Sequence, residues 1–525
     1  MESQTGTADV IVVGGGLGGC MAALSAVKLG MNVILTEATD WIGGQLTSQA
    51  VPPDEHPWIE SFGCTSTYRE FRDRIRRYYK ENYPLTDAAK NNERLNPGNG
   101  WVSRLCHEPK AALHVLEAML APYISSGRLT LLLGWQVESA ETNDDRIDTV
   151  HIKHSDGRIK KLRGSYYLDA TECGDLLPLA GVEYVSGAEA KSETGEPHAL
   201  DFADALDMQS FTYVFALDHI ENGNFTIAKP EQYDFWRSFI PAHSRFPLFG
   251  WKMGDLHDPS IDKEIVFLPD GKEPMPFWTY RRILDRSLFS EGFLESDITL
   301  INWAQNDYYL GPIYGVSEEE RQTHLKGARQ QSLSLVYWLQ TEAPRPDGGK
   351  GYPGLRLRGD VLGTEDGIAK HPYIRESRRI KAVYTITEHD VSLEIRGTEG
   401  IKRYEDSVGV GSYHLDLHTT TKSNRGFFIP SLPYEIPLGA FLPVRVKNLL
   451  PACKNIGTTQ ITNGCYRLHP TEWNIGEAAG YLAAYSMMNQ VTPHEVRENK
   501  EHLNAFLTLI TNQGIETHWP DSMKL

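Results

Sequence analysis

The sequence has 525 residues, 40% of them hydrophobic, and 52 Lys and Arg against 69 Asp and Glu give a formal net charge of −17. At roughly 150 residues per domain this length predicts several domains or one intertwined two-domain enzyme, in either case a soluble globular protein. The acidic balance, with no basic run beyond Arg74-Ile75-Arg76-Arg77, excludes nucleic acid as an expected partner. No stretch approaches the roughly 18 apolar residues of a membrane-spanning helix. Met1-Glu2-Ser3-Gln4 brings no basic residue before the first apolar strand, so no secretory leader is expected and a cytoplasmic location is the default. Cys20, Cys64, Cys106, Cys173, Cys453 and Cys465 include no C-x-x-C pair, which predicts free, mostly buried thiols and no zinc or iron–sulfur site.

The first element in the chain is a β-branched strand, Asp9 to Val13, followed by Gly14-Gly15-Gly16-Leu17-Gly18-Gly19 and a helix from Cys20 to Leu29 that Gly30 ends. A second buried strand, Asn32 to Thr36, finishes at Glu37. Gly14-x-Gly16-x-x-Gly19 suits a dinucleotide: a tight turn, a bare backbone where a diphosphate approaches, and a helix N-terminus facing the anion. Glu37, 18 residues beyond Gly19, stands where a carboxylate accepts hydrogen bonds from a ribose. His107-Glu108-Pro109 marks the start of a helix running to Leu120, a helix-entry signal ahead of a catalytic dyad. A small antiparallel meander is expected from Leu129, with turns at Asn143-Asp144-Asp145 and Ser155-Asp156-Gly157, leading into Tyr166 to Asp175, an apolar strand ending in small residues.

The residues after Glu37, Trp41-Ile42-Gly43-Gly44-Gln45, give the chain a resemblance to the FAD-dependent oxidoreductases, in which such a Gly-Gly pair lines the diphosphate and flavin. Asp169-Ala170-Thr171-Glu172-Cys173-Gly174 resembles that family's second strand motif beside the cofactor, lengthened by Glu172 and Cys173. The run from Ile456-Gly457-Thr458-Thr459 through Asn463 to Gly480 resembles its C-terminal signature, where a helix starting near Trp473 meets the flavin pyrimidine edge. With Tyr373 to Arg379 and Asp406 to Gly409, the likeness is to members with a fumarate-reductase-like arrangement of domains.

The resemblance implies an α/β protein: a Rossmann-like FAD/NAD(P)-binding domain built from residues 1–185 and 440–490, an inserted α+β substrate domain over 186–440, and a helical tail over 491–525. It implies FAD as cofactor, held by Gly14, Gly16, Leu17, Gly19, Glu37, Ala38, Gly43, Gly44, Gln45, Val137, Ala170, Thr171, Gly174, Asn474 and Ile475. The aromatic groups Tyr233 to Trp236, Phe246 to Trp251 and Phe277 to Tyr280 read first as core packing and second as ligand-facing.

Flavin chemistry needs a side chain that moves the substrate proton. His469 is the first candidate, beside Arg467 and immediately before the flavin-facing helix, with a loop-capping histidine as the competing reading. His414-x-Asp416-x-His418 on a strand would share one face, making Asp416 and His418 candidates; a metal there is disfavoured for want of further ligands. Arg375 and Arg379, on one face if helical, would clamp a carboxylate or form inter-domain ion pairs. Beyond residue 186 no second Gly-x-Gly-x-x-Gly follows a strand, so electrons are expected to come from the substrate and leave to dioxygen or a redox protein. The expected activity is a dehydrogenase or oxidase taking hydride from a small polar metabolite; the alternatives are a reductase of an activated double bond, with arginines holding a substrate carboxylate, and an electron-transfer subunit.

Overall fold

The computed structural model describes residues 5–254, 260–269 and 276–521; the leader reading, which concerns Met1 to Gln4, lies outside them. Val10–Val13 and Val33–Glu37 are apolar runs buried on both faces, as strands covered by helices are, and they pair in parallel from Val10 opposite Val33 to Val13 opposite Thr36. The helix Leu17–Lys28 crosses between them and ends at Gly30, which adopts a left-handed φ of 89°. Tyr166–Asp169 and then Leu449–Pro451 extend the sheet on one side, and Leu129–Leu133 closes the other, giving five parallel strands. The expected Rossmann-like α/β layer is therefore present, assembled from distant pieces of chain.

Leu129–Leu133 departs from expectation. It is an edge strand of the parallel sheet and not part of the meander, because the helix Pro109–Ser125, entered through Glu108 with Pro109 in its first turn, is the crossover that returns the chain to Val33–Glu37. The meander itself is Trp135–Asn143, Arg146–His154 and Ile159–Arg163, with turns where the sequence places them, and Thr5–Thr7 joins its edge in parallel.

The inserted segment is α+β. Arg282–Leu284, Ile298–Ile301, Phe215–His219 and Leu355–Leu357 make an antiparallel sheet, and Phe211–Thr212 pairs with Asp307–Tyr308 and Tyr373–Ile374 beside the long helix Glu318–Thr341. Alternation ties the two halves together: Val214 and Ala216 enter the core that also holds Val10 and Leu17, while Phe215 and Leu217 face a second core. Tyr233, Trp236, Phe249 and Trp278 pack in that second core. Arg375 to Arg379 is not a helix. Pro372 and the pairing of Ile374 with Phe211 hold the chain extended, and its arginines diverge.

The helix His469–Asn489 lies directly on Leu17–Lys28. A Cβ added to Gly476 would collide with the Gly18 carbonyl, and one added to Gly480 with that of Ala22; the glycines let the two backbones touch. Beyond it, Pro493–Glu498 and Lys500–Asn512 are helical, and Trp519 returns to pack on His56, Trp58 and Phe62.

Candidate functional site

The glycine turn is stitched to the elements the motif requires. Gly14, at φ 101°, lies against the backbone of Ala170 so closely that a side chain has no room. The Gly15 N–H donates to Glu37 Oε2 at 3.0 Å, and Glu37 Oε1 accepts from the Thr39 N–H and hydroxyl at 2.8 Å each. Burial lifts the Glu37 carboxyl to about 7 against these donors. The Gly43 N–H donates to the Gly15 carbonyl at 2.8 Å, which lays the Gly43-Gly44 loop on the turn. Leu17 is buried beneath it, Ala38 is exposed, and Val137 is half-buried in the meander opposite Ile152.

The residues fit FAD. Gln49 is fully buried with neither amide atom hydrogen-bonded, and Gln45 Oε1 is buried and unpaired while its Nε2 donates to the Arg467 carbonyl at 3.0 Å and to Glu472. Buried amides without partners mark a place where polar groups of a ligand belong, and both follow the bare-backbone turns. Ala50, in the same loop, holds a left-handed φ of 57° that only tertiary contacts impose.

Four further expected cofactor positions have contacts of their own within the chain. Gly174 (φ 63°) packs against Ser377 and Arg378, because Glu172 and Cys173 carry it past the glycine turn. The C-terminal helix begins at His469 and not near Trp473, since Leu468 is its extended cap and Pro470 sits in its first turn. Asn474 and Ile475 therefore lie inside the helix, their N–H groups no longer at its free end; the Asn474 amide donates to the Val408 carbonyl at 3.0 Å. Thr171 turns back on its own strand, its N–H and hydroxyl both donating to Asp169 Oδ1.

Four of the five expected catalytic residues converge. On the strand Leu415–Leu417 and just beyond, Asp416 and His418 face each other as alternation predicts, with His418 Nε2 3.3 Å from Asp416 Oδ2 and Nδ1 2.6 Å from Asp307 Oδ2. Burial and Arg375 work against the imidazolium, but the two carboxylates outweigh them and raise the His418 pKa. Asp416 shows the reciprocal effect: burial pushes its carboxyl up, yet His418 and Arg467 hold it down to about 2. Arg467 Nη2 lies 3.2 Å from Asp416 Oδ2, and Nη1 donates to the Tyr373 hydroxyl at 2.7 Å. Arg375 commits both terminal nitrogens, to the Ser210 carbonyl, Thr212, Asn302 and Asp307, and keeps only its buried Nε without a partner, so it is a positioning residue and not a free clamp.

His469 stands apart from this network. Its Nδ1 accepts the Asp54 N–H at 3.0 Å, and burial, then Arg281, push its pKa down to about 3. Nδ1 thus holds the loop at Asp54 as a neutral imidazole would, while the buried Nε2 has no hydrogen-bond partner and leaves the ring's one N–H uncommitted.

Several residues of the site escaped the sequence reading. Arg281 is 7% exposed, and its Nε and Nη1 have no hydrogen-bond partner; the nearest acid, Asp54, is 3.6 Å away. Burial raises the Asp54 carboxyl while Arg281, then Arg467, oppose it, which places these groups in one electrostatic field with Asp416 and Arg375. Asp307, Tyr373, Lys454 and Glu472 complete the set. Arg281 ends an aromatic run and Asp54 follows a Pro-Pro pair, and neither pattern signals chemistry.

The family described as FAD dependent oxidoreductase matches residues 9–507. Among solved structures, the chain is similar to a geranylgeranyl bacteriochlorophyll reductase-like protein from Thermoplasma acidophilum, with 11% identity over 98% of this chain and 85% of that one, at a TM-score of 0.28. It is similar to the myxobacterial chondrochloren halogenase, with 11% identity over 96% and 82% at a TM-score of 0.32. The L-proline dehydrogenase from P. horikoshii aligns at 13% identity over 36% of this chain, which spans only 25% of that chain, at a TM-score of 0.18. A search of curated proteins finds no match. Among the described residues no helix is long and apolar enough to cross a membrane.

Proposed function

The chain belongs to the FAD-dependent oxidoreductase family, and on that premise we propose that it transfers hydride between FAD and a small anionic metabolite held by Arg281. When bound, FAD supplies the two-electron acceptor or donor. The observation that carries the reading is the buried guanidinium of Arg281, two of its donor atoms without a hydrogen-bond partner and Nη1 3.6 Å from Asp54, in the same field as the His418–Asp416 pair. A buried guanidinium with free donors is a strong, geometrically selective ligand for a carboxylate.

In this reading Arg281 binds the substrate anion, and Asp416 with His418 takes or gives the substrate proton. Arg467 and Tyr373 hold Asp416 in place, and Asp307 with Arg375 orients His418. The His418 ring, tied through both nitrogens to carboxylates that favour its protonated form, exchanges a proton with Asp416. Gln45 and Gln49 offer amide groups to the cofactor.

Anaerobic mixing of the flavin-loaded protein with paired carboxylate and neutral metabolites, followed by the visible flavin spectrum, tests this. Mixing the reduced protein with unsaturated carboxylates runs the reaction in reverse. Bleaching or reoxidation by carboxylates, lost in an Arg281→Met variant that retains its flavin, is expected. Equal response to the neutral partners, or an unchanged Arg281→Met variant, overturns the assignment.

A further inference from the structure

Lys454 lies between the strand Leu449–Pro451 and the helix Gln460–Tyr466, and its side chain is fully buried. A buried ammonium needs carboxylates. Lys454 pairs with Glu172 and lies 4.0 Å from Glu472. Burial works against its charge, but Glu172 and Glu472 overcome this and hold its pKa above the ordinary lysine range.

The Glu172 end of the pair lies on the cofactor motif. Its Oε1 is 2.8 Å from the points where a Cβ on Gly16 and a Cβ on Gly44 would stand. The carboxylate thus rests in the notch between the glycine turn and the Gly43-Gly44 loop. Glu472 Oε1 accepts the Gly18 N–H at 3.2 Å, in the first turn of the helix Leu17–Lys28. Bare glycine backbone, a helix N-terminus and a buried ammonium together make an anion site, and a carboxylate of the chain is the anion seated in it.

We propose that Lys454 is the cationic ligand of the FAD diphosphate, and that Glu172 stands in for that diphosphate, so that cofactor binding exchanges one anion for the other on Lys454. The charges require the exchange. Lys454 is already paired with Glu172, while burial lifts the nearby Glu472 carboxyl to about 7, so a diphosphate brought beside Glu172 would meet repulsion that an ammonium already paired does not offset. Glu172 can leave: it sits in the two-residue lengthening of the Asp169 to Gly174 loop and its side chain is 16% exposed, whereas Lys454 has no route to solvent. Glu472 stays, held by the Gly18 N–H and Gln45.

The test is FAD affinity of the apoprotein, read by flavin fluorescence quenching, with ADP as a competing diphosphate that lacks the flavin. Lys454→Met is expected to weaken both FAD and ADP by roughly tenfold or more, the scale of a charge-assisted bond. Glu172→Gln, which frees Lys454 of its internal anion, is expected to tighten both. Lys454→Met leaves a buried carboxylate unpaired, so the double variant Glu172→Gln/Lys454→Met, checked for folding by thermal melt, removes both charges together; it is expected to bind FAD more weakly than Glu172→Gln by the same factor. Glu172→Gln binding more weakly than the unaltered protein, or the double variant matching Glu172→Gln, would show the pair to be purely structural and overturn the proposal.

Discussion

Replacing Glu477 by Gln isolates the energetics of one buried carboxyl. Glu477 sits in the helix His469–Asn489, where its Oε1 accepts from the Thr65 hydroxyl at 3.0 Å, the Trp473 indole N–H at 2.8 Å and the Thr67 hydroxyl, while Oε2 is buried without a partner. Burial raises its pKa from the ordinary 4.5 to about 7, outweighing those donors. At about 1.4 kcal/mol per pH unit, this corresponds to about 3 kcal/mol. The folded state holds the proton more tightly than the unfolded chain, so the contribution is full below about pH 4.5 and is lost as pH rises through about 7. Glutamine copies the protonated acid, with its oxygen toward the three donors and its NH2 in the place of the unpaired Oε2. The variant should match the unaltered protein at pH 4.5 and exceed it by about 3 kcal/mol at pH 8, a rise of about 3 °C in melting temperature for a chain of this length. Asp169 and Glu196 are raised to about 7 by burial as well and add the same sign of pH dependence to both proteins, so the difference between them reports Glu477 alone. Melts of both apoproteins across this range decide it: a variant less stable at pH 8 would mean the carboxylate is ionised and stabilising where it sits, refuting the burial argument.

Two further outcomes are expected. Gly476→Ala places a Cβ into the Gly18 carbonyl, so the two helices must separate; overpacking of this kind costs about 1–3 kcal/mol, and because it displaces the first turn of the dinucleotide helix it should also lower the flavin content of the purified protein, whereas a normal flavin content and melt would show slack between the helices. Asp307→Asn removes one of the two carboxylates that raise the His418 pKa, so the proton leaves at lower pH; the pH at which flavin reduction changes should fall, and an unmoved profile would take His418 out of the proton path.

The local sequence determined the dinucleotide layer. Two apolar strands, the glycine spacing and Glu37 all lie within 29 residues, where chain connectivity alone brings strand, turn and helix together and the period of apolar residues reports burial directly. The same holds for the meander turns, the Pro109 helix start, and the shared face of Asp416 and His418. The tertiary structure decided what depends on residues far apart in the chain. Arg375 and Arg379 diverge because Ile374 pairs with Phe211, a partner 163 positions away; His469 Nδ1 is held by an N–H from residue 54; and Glu172 meets Lys454 and both glycine loops only where three strands of one sheet end together. Arg281 carries no pattern that separates it from any surface arginine. Its burial, its unpaired donors and its place beside Asp54 exist only once the inserted sheet packs onto the FAD layer, because desolvation is a property of the assembled molecule and not of any local stretch of chain.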